Sequence, residues 1–420
     1  MPQKPELIIR SGYLPNKEDE VDISIADGKI ISVSTNIEET AEKEIDASGG
    51  LLSPGLVDAH FHTDMALAAT GERLPKYEYD TSDRELLIGK SHEYFAEQSR
   101  EELRSQIRKA IKLAVTNGIL HLRNHVYLDS TIGTKVIEAT LDVQEELEDL
   151  IDMEIIAFPQ QGFIRDKGSQ QVAREALDIG ADLVGGIDPG TINNDVEQTI
   201  NTWFEIATDY DVDIDVHLHD RGTLGTYTLE RIAERTVEEE YEGRVTASHC
   251  YALADAAGKN ENHHGTSIDD ILDKLSAANI SVITCYQSTR PGMPVSQFNN
   301  NDLIMAHGTD GARHVWGPFG NIDSLEAMLV NSIKLDLDSK QNFRTDEGLQ
   351  QLWDLITTNG AKVMNIEKTY PIKPGTPADI VIHDASSPQW AIIEAPTPRH
   401  VIKDGQVVAQ NEPREISTIY

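Results

Sequence analysis

The chain has 420 residues, a mean hydropathy of −0.37 and no apolar run near the ~18 residues a membrane-spanning helix needs, which fits a soluble globular protein with a large core. Its 71 acidic residues against 36 basic ones give a formal charge of −35. That argues against nucleic acid or an anionic membrane as partner, because both require positive surface.

Only two cysteines occur, Cys250 and Cys285, so a disulfide framework is excluded and a reducing compartment is expected. The start, MPQKPELIIRSG, lacks the charged segment, apolar core and cleavage site of a secretory signal, and the expected location is the cytoplasm. Acids are spread through the chain, as in EETAEKE, EELEDLID and RTVEEEYEG. This is the pattern of a solvated acidic surface, of the kind that high intracellular salt favours by screening self-repulsion.

In chain order, LIIRSGYL and VDISIADGKIISVS read as short strands, the second broken by an Asp-Gly turn. GLVDAHFHTDMA follows, where a short apolar run ends in His60 and His62. Strand side chains alternate, so the two imidazoles share a face, although a His-x-His pair alone is a weak sign of a metal. REELRSQIRKAIKLAVTNG carries apolar residues at 103, 107, 110, 111 and 114, a helical spacing closed by Gly118. The strand ILHLRNHV comes next, then a second helical pattern, TKVIEATLDVQEELEDLI, and the strand MEIIAFPQ.

The alternation continues, with strand ends at DAHFH, HLRNH, AFPQ, VGGID, DVHLHD, TASH, VITCY and AHGTD. Eight strands separated by helix-sized segments predict an α/β fold, a (β/α)8 TIM barrel over residues 55–367, with function at the C-terminal strand ends. PADIVIHDA and RHVIKDGQVVAQ, again with an Asp-Gly turn, return to the texture of the first fifty residues. Residues 1–54 and 368–420 are therefore predicted to form one small β-sandwich domain together.

Polar residues unusual for strands gather at the strand ends. They are His60 and His62 on strand one, His217, His219 and Asp220 on strand five, His249 on strand six and Asp310 on strand eight. In a barrel these face one mouth, and three imidazoles with a carboxylate suit a zinc or iron(II) ion that retains a water. Spacing does not decide between His217 and His219, which share a face by parity. Taken singly, His249 reads as a core histidine and Asp310 as a turn cap. His263 and His264, in GKNENHHGT, read as a surface loop pair. GTLGTY after Asp220 lacks the lysine and the preceding context of a phosphate loop.

Taken in order, DAHFH, DVHLHD, TASH and HGTD resemble the metal-dependent amidohydrolase superfamily in its cytosine-deaminase-like branch. TGERLPK, FPQQG, DLVGGIDPG, GRVTASH, WGPFGNIDS and SSPQWAI are most similar to the N-isopropylammelide isopropylamidohydrolases within it. The resemblance implies that His60, His62, His217 and Asp310 hold one divalent ion, Zn2+ or Fe2+. It further implies that Asp310 takes the proton of the metal-bound water, that His249 orients the attacked group, and that Asp220 shuttles protons to a ring nitrogen. Gln160 would read the ring's carbonyl edge, with Met65 and Trp316 as further substrate contacts.

The implied reaction is attack by metal-bound hydroxide on a ring carbon of an aminated nitrogen heterocycle, pyrimidine- or triazine-like, releasing ammonia or an alkylamine. A small heterocyclic substrate and a homo-oligomer follow from the resemblance. Cyclic amide hydrolysis, as in hydantoinase or dihydroorotase relatives, is the alternative. The absence of a lysine at VGGIDP, where a carbamylated binuclear centre would need one, disfavours it. A non-catalytic scaffold predicts lost ligands, and every ligand position is filled.

Two residues depart from the pattern. Met65 stands where the isopropylammelide enzymes carry a lysine, and Gly311 stands where cytosine deaminases carry a second aspartate.

Overall fold

The computed structural model describes residues 4–15, 17, 19–68, 83–257, 267–285, 293, 295–300, 303–338 and 343–411. The TGERLPK segment, the His263–His264 pair and the stretch 412–420 lie outside the described residues.

The N-terminal strands are β1 (Leu7–Gly12), β2 (Val21–Ala26), β3 (Lys29–Ser34), β4 (Lys43–Asp46) and β5 (Leu51–Pro54). At the Asp27-Gly28 turn both residues take positive φ, +47° and +72°, the conformation that matches the twist of a two-residue hairpin. The barrel strands are β6 (Leu56–Phe61), β7 (Ile119–Leu128), β8 (Asp152–Pro159), β9 (Leu183–Ile187), β10 (Asp213–His217), β11 (Val245–Ser248), β12 (Ser281–Cys285) and β13 (Met305–Gly308). The chain returns through β14 (Ile380–His383), β15 (His400–Lys403) and β16 (Gln406–Gln410), whose Asp404-Gly405 turn repeats the positive φ pair.

All eight expected barrel strands are present and hydrogen-bond in sequence order, each pair parallel. The barrel closes between β13 and β6, where the Asp310 N–H donates to His60 O (2.9 Å) and the His62 N–H to Asp310 O (3.1 Å). Closure thus uses the backbone of three candidate site residues. The terminal strands form two four-stranded sheets, β3-β2-β1-β4 and β16-β15-β14-β5, and Leu7, Ile9 and Ile23 share a core with Ile380, Ile382 and Ile402. β1 and β4 run parallel, so the first sheet is mixed rather than a plain run of hairpins.

The helix Arg100–Thr116 buries Leu103, Ile107, Ala110, Ile111 and Ala114 on its expected face. Ser99 and Glu102 form a capping box at its start, and Gly118 follows its end at φ +87°. The next helix, Lys135–Glu146, stops five residues before the apolar pattern does. Glu145, Glu146, Glu148 and Asp149 crowd that end, where the helix dipole disfavours negative charge. GTLGTY forms the first turns of the helix Gly222–Glu238.

Candidate active site

β6 ends in Asp58, His60 and Phe61, all fully buried, with His62 just beyond. Thr309, after β13, donates to the Asp58 carboxylate through both its N–H and its hydroxyl, which fixes strand eight against strand one. From this platform His60 and His62 meet His217 at the end of β10 and Asp310 after β13. The Nε2 atoms of His62 and His217 are 3.1 Å apart, and Asp310 Oδ1 lies 3.7 Å from His60 Nε2 and 3.8 Å from His62 Nε2. His60 Nε2 is buried with no hydrogen-bond partner. Donors about 2.1 Å from a tetrahedral ion lie about 3.4 Å from one another, so these three spacings suit a divalent ion; His60, His62 and Asp310 form one candidate metal-holding group, and His60 and His217 fall in another with His125.

Burial, then the neighbouring imidazoles, pushes His60 and His217 well below the ordinary histidine range, and burial pushes His62 down to about 3. All three are neutral near pH 7, the protonation state that ligates metals. Phe158 stacks on the His217 ring, centroids 4.1 Å apart, and limits its rotation. His249 and Asp310 both occupy the left-handed region, with φ of +68° and +67°. Non-glycine residues there cost energy and cluster at functional sites.

A cavity of about 420 Å³ opens over these residues. His62, His217, His249 and Asp310 lie in its wall together with Gln160, Met65 and Trp316, so the three expected substrate contacts reach the same space as three of the four candidate metal ligands. Gln160 follows β8, is 4% exposed, and its Oε1 has no hydrogen-bond partner. The Trp316 indole N–H donates to Ser91 Oγ at 2.9 Å, which anchors the ring on the helix Arg84–Glu97.

Asp220 is the exception. Its carboxylate turns from the cavity to the loop after β9, accepting from Gly190 N (2.9 Å), Thr191 N (3.2 Å) and Thr191 Oγ1 (2.5 Å). The cause is parity: in an extended segment the residue three past His217 points to the opposite face. His219, on the same face as His217, lines the cavity instead. Its backbone N–H and its Nδ1 both contact the buried Asp188 carboxylate, the latter at 2.9 Å, and Arg84 Nη1 pairs with Asp188 at 2.7 Å. Burial alone would push Asp188 up, but His219 and Arg84 hold it below the usual carboxylate range.

The structure thus puts Asp188, not lysine, at the end of strand four. His125 went unremarked in the sequence, although it ends a run of odd-numbered polar residues, His121, Arg123 and His125, on one face of β7. It is fully buried, with its ring centroid 4.0 Å from that of His60 and 4.6 Å from that of His217. Arg84 gave no signal, because nothing in its local sequence ties it to the end of β9.

Residues 79–409 match the family model described as the amidohydrolase family. The chain is 40% identical over 407 residues to the N-isopropylammelide isopropyl amidohydrolase of Pseudomonas sp. (strain ADP), covering 97% of this chain and 98% of the relative. Among solved structures, N-isopropylammelide isopropylaminohydrolase from Burkholderia multivorans ATCC 17616 superposes with a TM-score of 0.86 at 28% identity, covering 96% of this chain and 98% of that one. The 5-methylcytosine deaminase of Klebsiella pneumoniae, liganded with 5-fluorocytosine, gives 0.84 at 25% identity over 98% and 99%.

Proposed function

The chain belongs to the amidohydrolase family, and from that premise we propose that it hydrolyses the bond between a ring carbon and an exocyclic amino or alkylamino nitrogen of an aminated heterocycle. The observation that carries this reading is that His62, His217 and Asp310 line a ring-sized cavity, with the neutral His60 imidazole 3.7 Å behind Asp310. His60, His62, His217 and Asp310 hold one divalent ion, zinc or iron. Such an ion supplies Lewis acidity and brings the pKa of a water toward neutrality.

The chain's own groups do the rest. Asp310, which faces both His60 and His62, takes the proton of the attacking water. His249 and His219, with ring centroids 4.3 Å apart, flank the attacked carbon. His219, tied through Nδ1 to Asp188, turns its other nitrogen to the substrate and moves the proton first expected of Asp220. Gln160 meets a polar ring edge, while Met65 and Trp316 cover apolar ring surface. An electron-poor ring suits this site because its nitrogens accept the charge that develops on attack.

Residues 1–54 with 368–420 and residues 55–367 form the two domains, and the active enzyme is a cytoplasmic homo-oligomer. Two buried thiols and the acidic composition support that setting. The test is a screen for ammonia or alkylamine release from pyrimidines, purines, pterins and triazines in low and high salt. Release of an amine with the ring intact is expected. A ring-opened acid as sole product would replace this reading with cyclic amide hydrolysis.

A further inference from the structure

Beneath the candidate ligands lies a buried polar chain that the reaction does not use directly. Arg123 on β7 is 2% exposed, yet its guanidinium is fully engaged. Nε donates to Glu154 (2.7 Å), Nη1 to Asp215 Oδ2 (3.2 Å) and Thr246 Oγ1 (3.1 Å), and Nη2 to Val363 O (3.0 Å). The other oxygen of Asp215 accepts from Ser248 Oγ at 2.9 Å, and Ser248 Oγ lies 2.9 Å from His60 Nδ1. Asp215 and Ser248 are fully buried on β10 and β11.

The direction of this chain follows from the groups themselves. Arg123 Nη1 donates to one oxygen of Asp215 and Ser248 Oγ to the other, so the serine hydroxyl spends its one proton on Asp215. The oxygen of Ser248 is then left to accept, and the partner 2.9 Å away must donate. We propose that Ser248, held by Asp215 and Arg123, is a positioning residue that keeps the proton of His60 on Nδ1 and so presents a bare Nε2 to the metal ion. The inference rests on the metal-site reading above. Partners behind a ligating histidine commonly govern metal affinity by 10–100-fold, by fixing tautomer and ring orientation.

The experiment measures zinc affinity of the full-length protein by competition with a chromophoric chelator, alongside 15N-histidine NMR of the zinc-loaded protein. Ser248→Ala is expected to weaken zinc binding about 10–100-fold and to abolish the protected Nδ1–H signal of His60. Asp215→Asn, which keeps the serine but weakens its acceptor, should shift affinity in the same direction by less. Thr236→Val removes a buried hydroxyl in the helix Gly222–Glu238 that donates to Ile232 O, far from the ligands in the fold, and should leave zinc affinity unchanged. Wild-type-like zinc affinity in Ser248→Ala, with the Nδ1–H signal retained, overturns the inference and leaves the metal site standing. A wild-type protein that takes up no zinc or iron overturns the metal-site reading and this inference with it.

Discussion

His62 and His217, from strands one and five, hold their Nε2 atoms 3.1 Å apart in a buried site where desolvation keeps both rings neutral. Two imidazole lone pairs at that distance repel unless a proton or a cation lies between them, and the Asp310 carboxylate beside them favours a cation. The purified protein should therefore carry about one zinc or iron per chain by elemental analysis. Stripping it should abolish turnover and lower the thermal midpoint, and thousandfold excess of ion over Kd should return about 4 kcal/mol. Asp310→Ala should be inactive. Full activity in a protein free of metal would remove the basis of the mechanism.

Asp220 and His219 are neighbours with opposite orientations, and that difference is measurable. Asp220 fastens the loop at Gly190 and Thr191, whereas His219 reaches the cavity with Asp188 behind it. His219→Asn should lower kcat by about 100-fold or more, the usual worth of a proton-transferring group. Asp220→Asn should cost about 1 kcal/mol of stability and leave kcat within about tenfold, because the amide oxygen can still accept from the loop. The reverse order of effects would return the proton-carrying role to Asp220.

These two residues also mark how far the sequence could be read. The barrel was legible because its strands are apolar runs ending in polar residues, and each expected strand end lies within a few residues of an observed one. The four candidate ligands were nameable only through resemblance, and parity alone left His217 and His219 undecided. What stayed hidden was contact between distant segments. Asp188 ended the expected strand VGGID without being singled out, and only the fold puts it under His219, 31 positions away. Arg123, His125 and Asp215 went unremarked, since only barrel closure brings β7 and β10 across from one another.

Gly308 shows how tightly that closure constrains the chain. A Cβ there would lie 2.3 Å from His60 Cβ and 2.5 Å from His60 O, so neither a rotamer change nor a small side-chain shift relieves it. Gly308→Ala should destabilise the metal-free protein by about 1–3 kcal/mol in urea unfolding, as overpacked sites do. It should also weaken zinc binding, because His60 and Asp310 are the residues pushed apart. A wild-type urea midpoint would mean that strands one and eight separate without cost.

His383 couples the terminal sheets to pH. It is fully buried on β14, its Nε2 lies 2.8 Å from Ser53 Oγ on β5, and burial pushes its pKa down to about 3. Because Ser53 Oγ already donates to Pro54 O, the imidazole is the donor in this pair. The unfolded chain takes up a proton at this residue below about pH 6.5 and the folded chain does not. Its contribution is thus intact above pH 6.5 and is lost as the pH falls toward 3, by up to a few kcal/mol. His383→Gln keeps a donor for Ser53 and removes the titration, so its stability should fall less than that of the wild type between pH 6.5 and 4.5. Parallel urea-unfolding curves for the two proteins across that range would show that His383 titrates alike folded and unfolded.

Met65 is 3% exposed in the cavity wall, in the position where the resemblance places a lysine in the isopropylammelide enzymes. A methionine there offers polarisable apolar surface and no charge. The one lysine or arginine among the described lining residues, Arg84, is already paired with Asp188. The wild-type cavity should therefore favour neutral rings over acidic, anionic ones. Met65→Lys puts a cation beside the ring and should shift the ratio of kcat/KM toward acidic rings by about tenfold or more, about 1.4 kcal/mol of differential transition-state binding. The measurement compares one neutral and one acidic heterocycle carrying the same leaving amine, with each protein's zinc content matched. An unchanged ratio would mean that residue 65 does not face the ring, and that substrate charge is selected elsewhere in the cavity.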